Sequence, residues 1–111
     1  MSYFSPSGPS PQSTVTVLGG SQPSIANIAV PLANTEVSYS LPANTVRFQI
    51  RTRDVANLKI AYIVGQSGST FRTIYAGETY EETGLSLTGA LPLYFQSTQP
   101  SQTVEIISWA S

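Results

Sequence analysis

From Ile25 onward, apolar side chains recur at every second position, and no window replaces that rhythm with a sustained 3.6-residue period. Successive side chains of a strand point to opposite faces, so this alternation marks strands with one face buried and one wet. Thr45 to Arg53 carries the pattern most strongly, with Val46, Phe48, Ile50 and Thr52 on one side and Arg47, Gln49, Arg51 and Arg53 on the other. Thr35 to Leu41 repeats it, setting Val37, Tyr39 and Leu41 against Glu36, Ser38 and Ser40. Leu58 to Val64 is almost continuously apolar and reads as a strand buried on both faces. Phe71 to Tyr75, Leu85 to Thr88, Leu91 to Gln96 and Thr103 to Trp109 complete the set. Turn signals separate them: Leu41-Pro42-Ala43-Asn44, Gly65-Gln66-Ser67-Gly68, Ala76-Gly77-Glu78, Thr83-Gly84 and Gln99-Pro100-Ser101.

About eight short strands at roughly ten-residue spacing predict an all-β fold, an antiparallel β-sandwich or barrel. Gly-rich corners and the lack of any long crossover helix argue against a parallel sheet. Among sandwiches, eight strands favour a jelly roll, with an immunoglobulin-like Greek key next. The Cys-Trp-Cys pattern of a true immunoglobulin domain is absent.

One composition shift divides the 111 residues. Residues 1–24 hold Pro6, Pro9, Pro11 and Pro23 together with Gly8, Gly19 and Gly20, and Ser fills much of the remainder. Proline fixes φ and removes donors, while Gly and Ser favour irregular chain, so this stretch is expected to be an extended N-terminal arm with no core of its own. Only Thr14 to Leu18 within it has strand character. The β-sandwich domain is then residues 25–111. Tyr3 and Phe4 lie in the arm without local apolar partners, which makes them candidate anchors for a pocket on another chain.

Composition narrows the chemistry. The chain has no Cys and no His, which removes disulfides, thiol nucleophiles, His-containing zinc sites and imidazole triads. Charged residues are 10%, and the polarity comes instead from 16 Ser, 12 Thr, 7 Gln and 4 Asn. A net charge of −1 gives no global attraction for nucleic acid or acidic lipid. Met1 to Gln12 has neither the basic start nor the apolar run of a secretory signal, and no segment has the length of a membrane span. The expectation is a non-enzymatic protein with no cofactor, metal, nucleic acid or membrane partner.

Two charged clusters are candidate partner-binding sites. Arg47, Arg51 and Arg53 line the polar side of one strand, with Lys59 on the next, and guanidinium groups suit bidentate pairing with carboxylates. The strip reads either as an electropositive surface for an acidic partner or as a solvated face with cross-strand pairs to Asp54 or Glu105. Glu78, Glu81 and Glu82 form the acidic counterpart in a turn or edge strand. They lack the spacing of a calcium loop and a second carboxylate for glycosidase work. An inter-subunit contact between the two clusters would give a ring interface. Tyr39, Phe48, Tyr62, Phe71, Phe95 and Trp109 read as strand residues of the core rather than a sugar platform. Gly65 to Ser69 has no Lys and no following helix, so it is a hairpin loop rather than a phosphate cradle.

The segments NTEVSYSLPANTVRFQIRTRD, LKIAYIVGQSGSTFRTIYAGETYEE, LPLYFQS and VEIISW resemble small structural proteins of tailed-phage virions, most of all capsid cement (decoration) proteins. The likeness spans roughly residues 32–109, and its motifs are architectural rather than chemical. The resemblance implies a β-sandwich that binds the major capsid protein as a homo-oligomer, a trimer by preference. It implies a place on the capsid exterior of a virion assembled from chains made in the host cytoplasm. It carries over no catalytic residues. A tail, neck or head-fibre component and a carbohydrate-binding β-sandwich module are the alternatives.

Overall fold

The structure is a computed structural model that describes residues 23–110. The expected arm through Gln22, with Tyr3, Phe4 and the Thr14 to Leu18 segment, lies outside the described residues. Among the described residues, eight strands follow one another without a helix: β1 (Pro23–Val30), β2 (Val37–Leu41), β3 (Thr45–Thr52), β4 (Leu58–Ala61), β5 (Arg72–Ile74), β6 (Tyr80–Glu82), β7 (Leu91–Ser97) and β8 (Gln102–Ala110). They form two antiparallel four-stranded sheets, ordered β1-β8-β3-β6 and β2-β7-β4-β5. Every connection except β4–β5 crosses from one sheet to the other. That order is a jelly roll, the sandwich the strand count favours.

The period-two pattern dictates which side chains meet between the sheets. Phe48 and Ile50 of β3, Val104 and Ile106 of β8, and Val30 of β1 come from the first sheet. Leu41, Leu58, Ile60, Ile74, Leu93 and Phe95 come from the second, and all eleven are essentially inaccessible to solvent. Each such side chain contributes about 1.5–3 kcal/mol on burial. A bulge between Thr45 and Arg47 enters β3, whose first residue is held by the turn before it. There Asn44 adopts φ 66°, the left-handed conformation that Asn tolerates, and Thr45 donates from both its N–H and its hydroxyl to the Pro42 carbonyl.

Several local expectations are corrected. β1 takes in Pro23 and Ser24, so the last two residues assigned to the arm belong to the sheet. Leu58 to Val64 is a strand only to Ala61; Tyr62, Ile63 and Val64 leave the sheet and are 39%, 58% and 68% exposed. Leu85 to Thr88 is no strand, because β6 already forms the edge; Leu85 instead donates its N–H to the Val46 carbonyl and packs on the core. Tyr62 and Phe71 therefore sit on the β4–β5 connection, not on strands. Among the acidic residues, Glu81 and Glu82 fall on edge strand β6, and Glu78 lies in the turn before it.

Candidate docking site

The arginine strip forms as expected on the outer face of the first sheet, but its charges are met within the chain. Arg47 Nε lies 2.8 Å from Glu81 Oε2, off the line of its own N–H, so the contact is an ion pair rather than a hydrogen bond. The same guanidinium stacks 4.0 Å from the Trp109 ring centroid, its register partner on β8. Glu105 sits between Arg51 and Arg53, at 3.6 and 2.9 Å from their Nε atoms. Half-exposed pairs of this kind are worth roughly 0–1 kcal/mol each, so they consume charge without adding much stability. Lys59 does not extend the strip, because β4 belongs to the other sheet. The acidic cluster also disperses: Glu81 answers Arg47, Glu82 accepts the Tyr80 hydroxyl, and Glu78 accepts the Tyr75 N–H at 3.2 Å.

A different element exposes apolar side chains, Ile63 and Val64. Because β4 and β5 are a hairpin within one sheet, their connection is free to fold back over that sheet's outer face. Glu36, just ahead of β2, holds it there. Its carboxylate accepts the Gly65 N–H at 2.8 Å, the Ser67 N–H at 3.1 Å and the Ser67 hydroxyl at 2.6 Å. These bonds, the Ser67 hydroxyl foremost and then the Gly65 N–H, hold the Glu36 carboxyl below its ordinary range. Ser67 is fully buried and also lies 3.0 Å from Gln96 Oε1. A hydroxyl has one proton, and the shorter contact to an ionised group claims it, so Gln96 meets Ser67 as a donor once its amide is turned over. Gly68 passes so close that a Cβ there would sit 3.3 Å from that same Gln96 amide atom. Within the loop, the Gln66 N–H reaches the Ile63 carbonyl, with Gly65 at φ 82° as the left-handed residue of that turn. Ser69 and Thr70 both donate to the Gln66 carbonyl.

The strapped loop carries Ile63 and Val64 at its tip. Ile63 also lines a cavity of about 320 Å³, together chiefly with Ile60, Ala61, Tyr62 and Phe71. Arg72 also lines it, its guanidinium 5.4 Å from the Tyr80 ring, while Lys59, on the other face of the hairpin, places its Nζ 4.8 Å from the Phe71 ring. Among the described residues, no carboxylate lies within ion-pair distance of either cation. Tyr62 and Tyr80 touch hydroxyl to hydroxyl at 3.2 Å. Burial pushes both phenols above their ordinary range, and for Tyr80 the hydrogen bond to Glu82 adds to the shift.

At the opposite end of the sandwich, the β1–β2, β3–β4, β5–β6 and β7–β8 loops are joined by hydrogen bonds. Ser101 N–H donates to Pro31 O, Thr98 N–H to Asn57 O and Ala76 N–H to Asn57 Oδ1. A cavity of about 440 Å³ there is lined by Val55, Asn57, Thr98, Gln99, Pro100 and Gln102. Among the described residues there is no group of three His, Cys, Asp or Glu side chains placed to hold a metal ion, and no helix long and apolar enough to cross a membrane.

The strap was invisible to local pattern. Glu36 is 29 to 31 residues from the donors it binds, and Ile63 and Val64 read as the end of an apolar strand. The one available signal was Gly65, which interrupts that run with a turn residue.

No family model matches the chain, and no curated protein matches it. Among solved structures, the chain is similar to a de novo designed double-stranded β-helix determined by solution NMR. That likeness has 13% identity and a TM-score of 0.48, and covers 82% of this chain and 100% of that one.

Proposed function

We propose that the chain is a non-enzymatic virion structural protein, a capsid cement protein that binds the major capsid protein and stabilises the phage head. The observation that carries this reading is the strapped β4–β5 loop: an apolar tip, Ile63 and Val64, held in advance by Glu36 on a rigid sandwich. A contact element ordered before binding loses little entropy on docking, so even a small apolar tip contributes usable affinity. Many identical copies on a shell then sum weak contacts into firm adhesion. The resemblance over residues 32–109 to small virion proteins supports the same role.

The test is occupancy of purified particles by the Ile63→Asp, Val64→Asp double variant. Both side chains are exposed, so its thermal unfolding should match the wild type while its band is lost from the particles. Occupancy equal to wild type removes the loop from the interface and this reading with it. The amide- and hydroxyl-lined cavity at the opposite end favours a second reading, a carbohydrate-binding module. Under it, a neutral oligosaccharide would change the fluorescence of nearby Tyr75.

A further inference from the structure

A second surface on the same hairpin has the chemistry of a self-interface, independently of whether the protein binds a capsid. β5 is the free edge of the second sheet, three residues long. Its register on β4 pairs Lys59 with Thr73, between the inward-facing pairs Leu58 with Ile74 and Ile60 with Arg72. By alternation, Phe71, Thr73 and Tyr75 share the outer face with Lys59. The backbone follows the same alternation. Ala76 N–H points to the β4 side, where it meets Asn57 Oδ1 at 2.9 Å. Tyr75 N–H points the other way and is taken by Glu78 Oε1. Thr73, two residues earlier, therefore offers its N–H and C=O to the open edge.

We propose that two copies of the chain pair through β5, antiparallel, about a two-fold axis at Thr73. In that register the two Thr73 residues face each other at the axis and Phe71 of each copy stands opposite Tyr75 of the other, where the Glu78 carboxylate leaves the Tyr75 N–H that it caps in the single chain. The two second sheets become one continuous eight-stranded sheet. Phe71 and Tyr75 are 38% and 59% exposed in the single chain, and aromatic cross-strand pairs are among the favourable ones. Charge completes the match. Lys59, stacked on Phe71, has no carboxylate within ion-pair distance, and Glu78, folded against Tyr75, has no cation, both among the described residues. Placing Phe71 beside Tyr75 of the second copy places Lys59 beside its Glu78, twice per dimer because the contact is isologous. The arrangement is two-fold, not the three-fold one implied by the resemblance, and Ile63 and Val64 lie outside the pairing register.

Sedimentation of the full chain across a wide concentration range tests this, with thermal unfolding as the control for folding. The wild type should be a dimer. Lys59→Glu alone and Glu78→Lys alone should each weaken it roughly tenfold, since each turns two attractive pairs repulsive. The double variant, Lys59→Glu with Glu78→Lys, should recover most of that loss. A monomer at every concentration, a trimer, or a dimer indifferent to both reversals would overturn the proposal. None of these results bears on particle occupancy, which the loop-tip variant measures separately.

Discussion

Glu36 does at the level of one residue what no stretch of local sequence does: it fixes the position of a loop thirty residues away. The sign of its pH dependence follows from its environment. The folded protein holds the carboxyl below its ordinary value of 4.5, so the native state binds the proton less readily than the unfolded chain. The stability that Glu36 contributes is therefore complete above that ordinary value and is lost as pH falls through the lowered one. Glu36→Gln should lower the unfolding temperature at neutral pH, and the gap to wild type should close in acid. Amide exchange at Gly65 and Ser67 should quicken in the variant at neutral pH. A gap that stays constant from neutral to strongly acidic solution would mean that the carboxylate is not what holds the loop.

At the scale of elements, legibility depended on whether pairing was decided locally. β3 was readable because its alternation runs unbroken from Arg47 to Thr52, beyond the bulge at its start, and both of its neighbours, β8 and β6, pair with it there. Phe48 sits at its buried centre, so Phe48→Ala should cost about 3–5 kcal/mol in denaturant unfolding, by lost transfer energy plus the cavity left behind. A cost below 1 kcal/mol would contradict the packing of the two sheets. Leu85 to Thr88 has the same alternation and fails to become a strand, because a strand needs a partner edge as well as a pattern. Leu58 to Val64 fails at its far end for a different reason. The left-handed turn at Gly65 lifts Ile63 and Val64 out of the sheet, turning residues that looked like core into the most exposed apolar pair of the hairpin. The arginine strip was legible as a face, and pairing with Glu105 was one of its two readings; the pairing of Arg47 with Glu81 was not read. Whether Glu81 lies beside it depends on sheet order, which spacing along the chain does not encode.

Across the whole molecule, charge and apolar surface are distributed unequally. The first sheet pairs three arginines with its own glutamates, whereas the second sheet carries Lys59 and, lining an apolar cavity, Arg72, with neither cation paired to a carboxylate among the described residues. A sandwich with one outer face whose charges are met and unpaired cations on its other sheet suits the proposed cement role. The most direct measurement is the copy number of the protein in purified virions, read from a stained gel against the major capsid protein. Near-stoichiometric staining is expected of a protein that tiles the head. A few to tens of copies per particle, or none, would contradict it.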